Sequence, residues 1–347
     1  LRNPKVLRNP KVLPHASSSP SPDATSRLQL VKRPRSAARA FRLLFRRSLL
    51  QTARDHLTNL LRLASTAGLA AVFGAQFGVL DGGGPSTATS VASRVALMSY
   101  GVISMGMLAT MRALDRFAKE RPIVGRERAE RKYGGLTYLS AKAMAELPSD
   151  AAFAVLFGAM VRSKCGLHAP LHQLAAVNAL LASTSAALGL AIGAAAPRAE
   201  HALAVGAPIM VIHMLVGVID PAGASSEKDS QTMRLLRRLS PVRHAIEACC
   251  LSELRDRPLA RPKGFVGPQL GALAGVTSGN DVLSRLGIVR ADGSPKSFRD
   301  PMRMLGALGV GHMAVCAAAL VVSAPRFART EPAEPEEEGG HEGDGEG

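Results

Sequence analysis

Few side chains in this 347-residue chain are spaced for covalent or acid–base chemistry. Cys249 and Cys250 are neighbours, and a bridge between adjacent cysteines is strained; they serve an intermolecular disulfide or stay reduced. Cys165 and Cys316 read as small residues in or near apolar segments. His213 lies inside an apolar run, where an ionisable group is functional by default, although a neutral histidine bonded to a neighbouring helix fits the same position. No zinc-finger spacing and no GxxxxGK[ST] phosphate loop occurs. What remains is a set of charges arranged around apolar segments.

Composition says what those segments are. Hydrophobic residues make up 47% of the chain, yet the net charge is +16, from 43 Lys+Arg against 27 Asp+Glu. The two are separated: residues 1–57 carry 13 bases against Asp23 and Asp55, and residues 331–347 carry eight acids and no base. Four cysteines exclude a disulfide-dense secreted module. Absence of Trp, zinc-finger spacing and any RNP-like run argues against a nucleic-acid partner.

A bilayer crossing needs about 20 mostly apolar residues. Six stretches approach that, predicting an all-α membrane protein with spans at 63–80, 95–111, 136–161, 174–196, 202–219 and 304–322. The third is interrupted by Lys142, Glu146, Pro148 and Asp150. By register, Asp115 and Asp150 fall near the cytoplasmic and outer ends of their spans, and nothing places them together as a catalytic pair. Gly74 with Gly78, and Gly189 with Gly193, have the spacing that lets helices approach closely.

Residues 112–135 hold eight Lys/Arg, whereas the short connections opposite hold Arg94, Arg162 and Lys164. Both termini are therefore expected in the cytoplasm, with the chain multi-pass in a plasma or organelle membrane. Residues 220–303 form a long extracytoplasmic loop; its 14 bases are tolerated because long loops cross largely regardless of charge. Residues 1–36, with LRNPKV twice in tandem, are expected to be a disordered basic segment, and 328–347 a disordered acidic tail. Residues 37–56 read as an amphipathic connecting helix on the cytoplasmic leaflet, with Phe41, Leu44, Phe45 and Leu49 at helical spacing. The six-helix domain then covers 57–327.

Three ordered motifs carry a family resemblance. The first runs Phe117-Ala118-Lys119-Glu120-Arg121-Pro122-Ile123-Val124-Gly125-Arg126-Glu127, followed by Tyr133, Tyr138, Ala141-Lys142 and Glu146-Leu147-Pro148. The second is Leu239-Ser240-Pro241-Val242-Arg243-His244-Ala245-Ile246-Glu247-Ala248, and the third is Phe41-Arg42-x-Leu44-Phe45-x-Arg47. Together they resemble the membrane domain of the G subfamily of ABC transporters, the white/pigment-precursor type with the type-2 exporter fold.

The resemblance implies a homodimer, or a heterodimer with a related half-transporter, among membrane lipids, with a substrate cavity on the two-fold axis. ATP and Mg are then expected on an ATPase domain absent from this sequence, which makes the chain a fragment or a partner of a separate ATPase subunit; alone it should not hydrolyse ATP. No catalytic, cofactor-binding or metal residue is expected within it. By family register, coupling to the ATPase falls to Glu120, Arg121, Arg126, Glu127, Arg128 and Tyr133. The cavity takes Ser104, Met105, Leu108, Gly206, Met210 and His213, and an apolar plug takes Val218 and Ile219. Such an apolar lining suits lipid-like or amphipathic substrates. The alternative is a non-transporting membrane scaffold or a partner-dependent subunit. A secondary transporter is disfavoured because a long loop before only the last span breaks the repeat symmetry such folds show.

Overall fold

The computed structural model describes residues 36–80, 88–130, 132–196, 198–219, 230–259, 276, 278–290 and 293–323. The amino-terminal and acidic segments and Arg131 lie outside them. Ten helices account for most of the described residues: α1 (Ala37–Arg54), α2 (His56–Phe77), α3 (Ala88–Ala129), α4 (Gly135–Cys165), α5 (Leu171–Ala195), α6 (Ala199–Gly217), α7 (Gln231–Leu239), α8 (Pro241–Leu254), α9 (Gly279–Arg285) and α10 (Arg299–Val322). Six of them, α2 to α6 and α10, are long and apolar enough to cross a membrane, with a connecting helix before the first and a long loop before the last.

α5 is apolar all round and therefore sits in the middle, packed by α3, α4, α8 and α10. Its contact with α3 depends on glycine. A Cβ on Gly189 would lie 2.4 Å from the Thr110 carbonyl oxygen and 3.0 Å from the Ala113 Cβ, so the two helix backbones come close together there. Gly189→Val should therefore push α3 from α5 and cost at least the ~1–3 kcal/mol of ordinary overpacking. Gly306→Ala, which meets open space, is the control in thermal unfolding. The other spaced pair behaves differently, since Gly78 has φ +59° and ends α2 rather than admitting a neighbour.

Two helices depart from the sequence reading. Residues 112–129, expected as a connection after the second span, continue α3 as helix through Pro122. Their period explains it: Ala113, Phe117, Glu120 and Val124 share one face, and the three apolar members are buried. α1 does not rest its whole apolar face on lipid. Ala40 is buried, and Leu44, with Phe41 and Phe45 beside it, is buried in a cluster shared with α4; Leu43, Leu49 and Leu50 stay exposed.

The long loop contains α8, among the most completely buried elements described. At 14 residues, or about 21 Å, it is too short to span. It inserts among α3, α5, α6 and α10 and joins the main core through Val242, Ala245, Ile246, Leu251 and Leu254. Ser240 caps its amino end by accepting from Arg243 N, and donates to the His213 carbonyl of α6 at 3.1 Å. Cys249 and Cys250 are both free and buried there. Burial pushes the Cys249 thiol up to about 12 and raises the Cys250 thiol as well, so neither is poised for a disulfide with another molecule.

Candidate functional site: two buried ion-pair clusters

The α1 end of the bundle holds a continuous chain of polar contacts. Arg47 of α1 donates to both Glu127 oxygens, at 2.9 and 3.1 Å, and the Tyr133 hydroxyl donates to Glu127 at 2.6 Å. Burial and the adjacent carboxylate raise the Tyr133 pKa, so its hydroxyl remains a donor. Its ring stacks on Tyr138 at 6.1 Å, and the Tyr138 hydroxyl donates to Glu120 at 2.8 Å. Lys142 then bridges Glu120 at 2.7 Å and Glu146 at 2.8 Å while only 1% of its side chain is exposed. Arg116 pairs with Glu146 at 3.3 Å and with Asp150 at 2.9 Å. Arg62 closes the chain on Asp150, reaches Ser149 and lies over the Phe153 ring.

Helical spacing makes this arrangement. Lys142, Glu146 and Asp150 occupy i, i+4 and i+8 on α4, and Arg116 and Glu120 occupy i and i+4 on α3, so two charged stripes face each other with opposite signs in register. The residues that seemed to weaken the third span are thus its paired face. Asp150, placed near the outer end by sequence register, instead meets Arg62 in the first turns of α2 and Arg116 near the middle of α3. Asp115 pairs with Lys119 at 2.6 Å on the surface, a contact of about 0–1 kcal/mol.

The six residues assigned to coupling separate into groups. Glu120, Glu127 and Tyr133 belong to the chain of contacts just described. Arg121 donates to the carbonyl of Ala196, the last residue capping α5, and Arg128 to the carbonyl of Leu320 in the last turn of α10. Both cations satisfy carbonyls that helix ends leave unpaired, and so tie the α3 extension to two spans. Arg126 is exposed and shares a stripe with Asp115, Lys119, Pro122 and Glu130, opposite the buried one.

The cavity residues also divide. Met105 and Met210 are fully packed inside the chain, Met105 in the main core and Met210 against Leu114, Leu188 and Ile192, so in this structure both act as core. Gly206 packs against Leu114. Ser104, Leu108 and His213 are partly exposed. Of the two plug residues, Val218 is exposed and Ile219 is buried in the main core.

A second charge cluster lies toward the opposite end of α3. Arg94 and Glu253 pair with 1% of each side chain exposed. Glu253 also accepts from the backbone N–H groups of His168 at 3.0 Å and Ala169 at 2.6 Å, and Arg94 reaches the Gly166 carbonyl at 3.3 Å. One carboxylate of α8 thereby fixes α3 and the α4–α5 turn. Sequence reading passed over this pair because its members are 159 positions apart. The two clusters stand about 33 Å apart along α3, Arg94 to Arg116, and about 22 Å along α4, Asp150 to Cys165.

Residues 39–254, which include Arg47 through Glu253, match the family model described as ABC-2 type transporter. A curated relative, ABC transporter G family member 7 of Arabidopsis thaliana, is 30% identical over 230 residues, covering 65% of this chain. The match takes in 31% of that relative, so the chain spans less than a third of its length. Six membrane-length helices, a connecting helix before them and the matched segment agree: the chain belongs to the ABC-2 type transporter family and carries a membrane domain of the G-subfamily kind.

Proposed function

We propose that this chain forms the membrane path of an ATP-driven transporter for lipid-like or amphipathic molecules, working as a dimer beside an ATPase domain. The observation that carries this reading is the Lys142 bridge between Glu120 and Glu146, the centre of a chain of contacts joining α1, α2, α3 and α4. A push on α3 from the α1 end reaches three other helices through charge pairs that can exchange partners without exposing apolar surface. In this reading that end faces the cytoplasm, and the stripe around Arg126 meets the ATPase surface. Glu120, Glu127 and Tyr133 transmit the movement, while Arg121 and Arg128 hold α5 and α10 to it.

The substrate path lies between two copies. α6 leaves Leu203, Val205, Val211, Ile212 and Leu215 exposed, and Val218 just after it, more apolar surface than one copy covers. Ser104, Leu108 and His213 add the few polar or adaptable groups of the lining, and Val218 with Ile219 the constriction.

In vesicles containing the chain together with its ATPase domain, Arg126→Ala should leave basal ATP hydrolysis in place and lower transport per ATP by about tenfold, the cost of one charged contact of roughly 1.4 kcal/mol. Glu120→Ala should do the same with an added loss of stability. Unchanged transport per ATP in both variants rejects the coupling role.

A further inference from the structure

α7 is not absorbed by the transport reading. Its nine residues, Gln231-Thr232-Met233-Arg234-Leu235-Leu236-Arg237-Arg238-Leu239, separate completely around the helix axis. At 100° per residue Leu235, Leu239, Thr232, Leu236 and Met233 form one continuous arc, and Arg237, Arg234, Arg238 and Gln231 the other. The helix contains three arginines and no acid.

Position and exposure decide what such a helix meets. No residue of α7 is buried; Met233 is 37%, Leu235 57% and Leu239 47% exposed. Yet the helix is held in place. The Ser230 hydroxyl caps its amino end by accepting from Met233 N at 3.3 Å. The His244 Nε2–H donates to the Arg238 carbonyl at 2.9 Å, binding its last turn to the buried α8. Ser240, immediately after it, bonds the His213 carbonyl one turn before α6 ends, so the carboxyl end of α7 is level with the end of a span. A helix of about 13 Å cannot cross a bilayer.

We infer that α7 is an interfacial helix that binds anionic phospholipid in the leaflet at the α8 end. Leu235, Leu236, Leu239 and Met233 enter the acyl boundary, and Arg234 and Arg238 meet the phosphates. Charge complementarity selects the occupant: Arg234 and Arg238, exposed on a helix that contains no acid of its own, favour an acidic lipid surface over a neutral one, by about fivefold for each arginine. An amphipathic helix with a basic polar face has this preference generally.

The test places the chain in nanodiscs of phosphatidylcholine with a minority of phosphatidylglycerol. Because all four native cysteines are buried, nitroxides can be attached singly at cysteines introduced at 231, 232, 234, 235 and 239. Oxygen, which partitions into lipid, should relax the labels at 232, 235 and 239 most strongly, and a water-soluble nickel chelate those at 231 and 234. Equal nickel access at all five positions overturns the inference in favour of a solvated helix. Shielding of 232, 235 and 239 from both reagents overturns it in favour of contact with a second copy. In a second measurement, Arg234→Gln and Arg238→Gln together should reduce retention of labelled phosphatidylglycerol by about 25-fold. Unchanged retention rejects the charge argument, and the nitroxide pattern decides alone if the double variant does not fold.

Discussion

Lys142→Met is expected to destabilise the membrane domain by about 3–5 kcal/mol, the cost of removing one partner from a buried ion pair. Its ammonium is the shared counter-ion of Glu120 and Glu146, at 2.7 and 2.8 Å, and methionine fills the space without the charge. The two carboxylates then face each other, with Tyr138 still donating to Glu120 and Arg116 still 3.3 Å from Glu146. Those remaining partners keep the loss within that range. Adding Glu120→Gln to Lys142→Met should recover part of it, because the unpaired charge goes with the carboxylate. Thermal unfolding in detergent of the parent, both single variants and the double variant gives the cycle. A Lys142→Met protein as stable as the parent, or a double variant with purely additive losses, removes the bridge from its central place.

Glu253→Ala should have an effect of similar size at the other cluster, about 3–5 kcal/mol, and should show it locally. The carboxylate accepts from the Arg94 guanidinium and from two successive backbone N–H groups, so its loss releases the α4–α5 turn as well as an ion pair. The Arg162 guanidinium, which bonds the Ala169 carbonyl at 2.9 Å, is a weaker hold on the same turn. Trypsin should then cut after Lys164 in the variant and not in the parent under native conditions. Glu253→Gln, which keeps an acceptor oxygen for a backbone N–H, should be cut more slowly than Glu253→Ala. Identical digestion of all three proteins rules out the carboxylate as the anchor.

The number of spans, the connecting helix and the long loop before the last span were legible in the sequence, because length and hydropathy are local properties and a bilayer filters on them directly. The segment around Glu120 to Glu127 read as a connection and is helix, since its charges hide a helical period carried by Ala113, Phe117 and Val124. α8 was flagged by its motif and not by its burial; a 14-residue apolar helix is too short to register as a span. Met105 and Met210 show the converse, for residues read as lining a cavity are sealed by neighbours of their own chain.

What only the tertiary structure decided is which charges meet. Lys142, Glu146 and Asp150 read in one dimension as flaws in an apolar run. Placed on one face of α4 and set against Arg116 and Glu120 of α3, each of them takes two charged partners. Arg94 and Glu253 carry no local sign of their partnership. Hydropathy accumulates along the chain and can be summed from sequence, whereas Coulomb attraction falls with distance through space, and that distance is set only when the helices pack.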